Sequence, residues 1–277
     1  MGLHIQNKTL KYLLIVFAST ILSVLLHQVY DDPLMNLSGK TQSIVITSGL
    51  FPPVAFTALA STFGIIGFIF LGIQKSLRGS KLRKGMVFGL AMSGVWIIGM
   101  TEAHVLFSLS LFGEIYTGIA DGSGILVMSL LLGKNLADDT FEEKILPETT
   151  YLAITIIAVI FILVRYLSYS VLHIESSYTT QPLATFLWTM IMGSWIGIMY
   201  TLIGMNIYQR NPLKHALLFG GLVFGLQWII FNLFALLFIV VPVLDLILRS
   251  VFDTLAIILG VYFFSMFQRR YIEQIPH

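Results

Sequence analysis

Residues 81–98 (KLRKGMVFGLAMSGVWII) and 212–230 (PLKHALLFGGLVFGLQWII) are two versions of one segment, so whatever this chain folds into must contain the same piece twice. At an offset of 131, Leu82, Phe88, Gly89 and Gly94 meet Leu213, Phe219, Gly220 and Gly225, and the basic Arg83 and Lys84 meet Lys214 and His215. At an offset of 132, Asp121 in IADGSGILV meets Asp253 in VFDTLAIIL. Pro52 and Pro53 precede one apolar run as Pro182 precedes another, and Tyr12 to Leu26 resembles Tyr151 to Val164.

The repeated pieces are membrane segments. Hydrophobic residues make up 57% of the 277 and charged residues only 11%, and a mean hydropathy of +0.88 is too apolar for a soluble domain of this length. About 20 apolar residues cross a hydrocarbon core roughly 30 Å thick. Runs of that length fall near 11–29, 46–73, 85–110, 115–133, 150–172, 183–207, 214–241 and 243–267. The expected fold class is therefore all-α, a polytopic membrane protein with eight transmembrane helices. Tyr12 to Leu26 has the apolar core of a signal peptide, but His27 to Pro33 lacks a small-x-small cleavage pattern, so it is expected to stay as the first span.

Placing the N-terminus inside puts 13 of the 16 Lys and Arg residues on the cytoplasmic side; only Lys40 falls in an outer loop, and Arg165 and Arg249 lie in or beside spans five and eight. This predicts an N-in, C-in topology. Each half has an even number of spans, so both enter from the same side, and the expected architecture is two tandem, parallel four-helix repeats, 1–135 and 136–277, as in parallel-repeat transporters. The longest loops, 31–45 and 134–149, are too short to fold independently. The second, acidic and carrying Pro147, reads as a solvated linker or a docking site. Small residues four apart, Gly85/Gly89, Gly118/Gly122, Gly193/Gly197, Ala216/Gly220 and Gly221/Gly225, predict close helix packing within the bundle or a dimer face.

Several function classes are excluded. With no cysteine there is no disulfide, thiolate nucleophile or Cys-ligated metal. A net charge of +2 spread over short loops gives no nucleic-acid footprint. No cofactor signature is present, and Asn36-Leu-Ser38 is a glycosylation sequon that matters only in a eukaryote.

Ionisable groups inside spans are the candidates for function, because a helix core tolerates them only with a partner or a task. The candidate intramembrane polar site is Asp121, Asp253, Arg249, Arg165, Glu102 and His27, all in the outer half under the predicted topology. Asp245, Arg249 and Asp253 follow an i, i+4, i+8 pattern, so Arg249 is placed to bridge both acids. Glu114 and Asp121 form the matching stripe on span four, with Arg165 or His27 available to neutralise Asp121. The stretch Asp121 to Gly124 reads either as a local unwinding that exposes carbonyls or as tight packing. A metal site from His27, Glu102 and Asp121 is a further arrangement, although the i, i+2 spacing of Glu102 and His104 does not match HExxH. Gln227 and Asn232 read as interhelical hydrogen-bond donors, and Trp96, Trp188, Trp195 and Trp228 as packing or interface residues.

Three functions follow: a small transporter or permease with an outward-facing polar cavity and Asp121 and Asp253 as coupling acids; a non-enzymatic sensor, immunity or accessory protein; or an intramembrane enzyme, which the missing nucleophile–acid–metal signature disfavours. Expected partners are the lipid bilayer, with a small solute, ion or lipid, or a membrane protein. A bacterial plasma membrane is the default location.

Overall fold

The computed structural model describes residues 2–29, 41–139, 150–207 and 209–273, with side chains over 7–29, 41–139, 150–207 and 209–269. The sequon at Asn36, Lys40, Lys144 and Pro147 lie outside the described residues. Among those described there is no strand, only an isolated antiparallel bridge between Gln42 and Ile239. Among the described residues, eight helices are long and apolar enough to cross a membrane: α1 Asn7–His27, α2 Phe51–Ile73, α3 Lys81–Phe107, α4 Leu111–Leu136, α5 Thr150–Val171, α6 Pro182–Leu202, α7 Pro212–Phe238 and α8 Val243–Arg269. The protein is a multi-pass membrane protein.

Local chemistry sets the helix ends. Pro52 and Pro53 stand in the first turn of α2 and Pro182 in that of α6, where a missing N–H removes no helical hydrogen bond. The hydroxyls of Ser80 and Ser110 accept from the N–H groups of Arg83 and Gly113, capping α3 and α4. Asn211 does the same for α7, accepting from Leu213 and Lys214. The second span is shorter than its apolar run: Ile44–Thr47 forms a separate turn, and Gly49 at φ +73° redirects the chain. Hydropathy cannot see that break, because both pieces are apolar. α3 likewise breaks at Thr101.

The chain divides into two compact units, Met1–Glu142 with Leu233–Val241, and Glu143–Asn232 with Pro242–His277. In the first, α1 packs on α2 and α4, and α3 packs on α4. In the second, α5 packs on α6 and α8, and α7 packs on α8. The four-spaced glycines lie at these seams. A Cβ on Gly85 would fall 2.2 Å from the Ser129 carbonyl oxygen, and one on Gly118 2.7 Å from the Ile97 Cα. On Gly197 it would fall 2.7 Å from the Ile154 Cα. Gly89 abuts Leu126 across α3 and α4, and Gly220 abuts Ile258 across α7 and α8. The glycine stripes thus serve close approach inside each unit.

One irregularity was not anticipated. Gly94 and Gly225 match at an offset of 131, but Trp96-Ile97-Ile98 and Trp228-Ile229-Ile230 match at 132, so α7 carries one residue more than α3 over the same stretch. The structure accommodates it as a π-helical segment over Leu217–Gly225, where the Leu226 N–H bonds back five residues to the Gly221 carbonyl. A π turn is the form in which an α-helix absorbs one extra residue.

Candidate functional site: two buried acid–base pairs

Each unit contains an aspartate on its last helix facing a base from its first. In the second unit Asp253 lies on α8, and its Oδ2 stands 3.5 Å from the Arg165 Nη2 on α5. The Trp228 indole N–H donates to the same Oδ2 at 2.8 Å. The Arg165 and Asp253 side chains are 2% and 3% exposed, so this pair is dry. Three rings surround the guanidinium, Trp188 at 4.4 Å, Phe161 at 5.5 Å and Tyr169 at 5.9 Å from its carbon to the ring centre. A planar, permanently charged guanidinium suits such a box, since it can stack on ring faces while its N–H edge meets a carboxylate.

In the first unit the Ser23 hydroxyl on α1 donates to Asp121 Oδ1 on α4 at 2.7 Å, and His27 Nε2 lies 3.8 Å from that oxygen. The His27 side chain is 26% exposed and that of Asp121 9%, so this pair reaches the edge of the unit. His27 Nδ1 stands 2.8 Å from the Ser23 carbonyl. A carbonyl only accepts, so Nδ1 carries the hydrogen, and Nε2 is the nitrogen turned toward the carboxylate.

These pairings correct several expectations. Arg165, considered for Asp121, faces Asp253 within its own unit, and His27 is the base that faces Asp121. Arg249 Nη2 lies 3.7 Å from Asp245 and donates to the Glu175 carbonyl, while Asp245 accepts from the Glu175 N–H at 2.9 Å. The i, i+4 geometry was sound for Asp245, and Asp253 faces a second arginine, Arg165, on a neighbouring helix. α4 runs through Asp121–Gly124 without unwinding; Gly122 packs on Ile97 and Ser93, and Gly124 on Phe63 and Ser23, so tight packing explains the glycines. Glu102 is buried at the start of the turn after the α3 break. No group of three or more His, Asp or Glu side chains among the described residues could hold a metal ion, so the arrangement of His27, Glu102 and Asp121 as ligands is not formed.

Other participants were missed. Trp228 and Trp188 are part of the Arg165–Asp253 site, and the signal for Trp228 was its match to Trp96 at the offset that relates Asp121 to Asp253. Asn232 donates within its own helix, to the Trp228 carbonyl at 2.9 Å, and the Gln227 amide, fully buried, has no hydrogen-bond partner. Neither is the interhelical donor expected. The matched basic residues Lys84 and His215 are both fully buried. Lys84 donates to the Asp138 carbonyl at 3.0 Å, and His215 Nε2 stands 2.9 Å from the Tyr200 hydroxyl while its Nδ1 accepts from the Gln209 N–H. Trp228→Phe should lower stability by about 1.5–3 kcal/mol, the worth of a hydrogen bond to a charged group, measurable as a shift in denaturant midpoint; an unchanged midpoint would mean that the indole N–H does not support Asp253.

No family model matches the chain, and no curated protein or solved structure does either.

Proposed function

We propose that this protein is a small proton-coupled transporter or permease of a bacterial plasma membrane, with both termini inside and two parallel four-helix repeats. The observation that carries the proposal is the asymmetry between its two acid–base pairs. An imidazole side chain can take up and release a proton, whereas a guanidinium stays charged. Asp121 with His27, partly open, is the coupling site. Asp253 with Arg165, sealed among aromatic rings, is the fixed counterpart. The repeat is supported by the shared neighbour scheme of the two units and by the glycine contacts of Gly89 on Leu126 and Gly220 on Ile258, which keep the 131 and 132 offsets.

The test uses purified protein in liposomes with an entrapped pH dye, under an imposed pH gradient, with sodium, potassium or choline salts outside. Protein-dependent collapse of the gradient is expected, with at least about a tenfold loss of rate in Asp121→Asn and His27→Gln and little loss in a conservative Asp245→Asn. Equal rates in wild type and Asp121→Asn would overturn the coupling role. A co-purified lipid or protein partner retained by Asp121→Asn, with no flux, would favour a sensor or accessory role instead.

A further inference from the structure

The extra residue in α7 creates a choice of register. At an offset of 131 the residue equivalent to Trp96 is Gln227; at 132 it is Trp228. In the structure the surplus residue is taken up in the π segment Leu217–Gly225, ahead of this position, so Trp228 occupies it and donates to Asp253. Gln227 is then fully buried with neither its amide N–H nor its carbonyl oxygen bonded. A buried amide without partners is unfavourable, and π turns inside α-helices are frequent at functional sites.

We propose that α7 is a two-register switch, in which the π turn slides past Trp228 and Gln227 takes the place of the indole opposite Asp253. Each residue that the turn passes rotates by about 100° and advances about 1.5 Å, one step of an α-helix. The exchange is chemically balanced: Asp253 loses the indole N–H donor and gains an amide N–H donor, and Gln227 gains the partner it lacks. Arg165 stays with the carboxylate in both registers, so no charge is left alone during the change. Gly220 and Gly225 favour the movement, since a turn without side chains can widen and narrow against Ile258 and Thr254. Register shifts of this kind fall on microsecond to millisecond timescales. The switch belongs to the second unit and to α7 and α8 alone, so it does not depend on proton coupling at Asp121.

Fluorine NMR tests it directly on the full chain in lipid nanodiscs. The protein has four tryptophans, so 5-fluorotryptophan labelling gives four resonances, and Trp228→Phe identifies that of Trp228. The wild type should show Trp228 in two environments, as two signals, or as one signal with exchange broadening or a saturation-transfer partner. Gln227→Leu, which removes the competing donor, should reduce them to the environment with the indole on Asp253. Deleting Gln227, which restores the spacing of α3, should also leave a single signal, and Gln227→Leu carries the test alone if the deletion does not fold. A Trp228 resonance free of exchange in the wild type, or two environments that persist unchanged in Gln227→Leu, would overturn the switch.

Discussion

Arg165→Met is expected to lower the thermal unfolding midpoint by roughly 10 °C, and adding Asp253→Leu to that variant should restore most of the loss. The single substitution keeps an apolar stem among Trp188, Phe161 and Tyr169 but leaves Asp253, 3% exposed, with a carboxylate that lacks its counter-charge. Breaking one side of a buried pair destabilises by about 3–5 kcal/mol, whereas replacing both sides with apolar residues is often neutral or stabilising; for a chain of this size that loss is of order 10 °C. Asp253→Leu alone should be similarly damaging, since it strands the guanidinium. The measurement is thermal unfolding in detergent for the two single variants and the double variant. Single variants within about 1 °C of wild type would show that the pair is not dry in the membrane. A double variant as damaged as either single would show that packing around the guanidinium matters more than its charge. The partly open pair should behave differently: His27→Gln, with its imidazole 26% exposed, should change stability by no more than about 1 kcal/mol.

Gly85→Leu should destabilise the protein by at least about 3 kcal/mol, because any side chain there meets backbone. The first carbon alone would sit 2.2 Å from the Ser129 carbonyl oxygen and 2.9 Å from its carbon, and neither can swing aside as a side chain could. α3 and α4 would have to separate, and overpacking costs about 1–3 kcal/mol, more where backbone must move. Gly72→Ala is the matched control. Nothing lies within 4 Å of a Cβ there, so the replacement should be neutral or stabilise by about 0.5–1 kcal/mol through helix propensity. Unfolding midpoints of the two variants decide the matter: a tolerated Gly85→Leu would mean that the α3–α4 seam is loose, and a damaging Gly72→Ala would mean that the α2 surface is covered.

Membrane class and span number were legible in the chain, because each follows from a one-dimensional quantity. Twenty apolar residues mark a span whatever it packs against, and the eight runs near 11–29 through 243–267 correspond to the eight helices found. The glycines also announced themselves, since four-residue spacing places them on one helix face before any neighbour is known. The acids Asp121 and Asp253 stood out for the same reason, as charges that hydrocarbon does not tolerate alone. Their partners did not. Arg249, four residues from Asp253 along the same helix, stood out as its counter-charge, and nothing in the sequence pointed to Arg165 on another helix, which faces Asp253 at 3.5 Å, because pairing depends on which helices touch and how each is rotated. The sequence lists the bases but carries no distance between them. The breaks at Gly49 and Thr101 were hidden too, since hydropathy is blind to backbone direction. The π turn lay between these cases. The change of offset from 131 to 132 between Gly225 and Trp228 recorded the extra residue, but only the tertiary structure decided that α7 absorbs it before Trp228 and leaves the Gln227 amide unpaired, because in that register the Trp228 indole reaches Asp253 on α8.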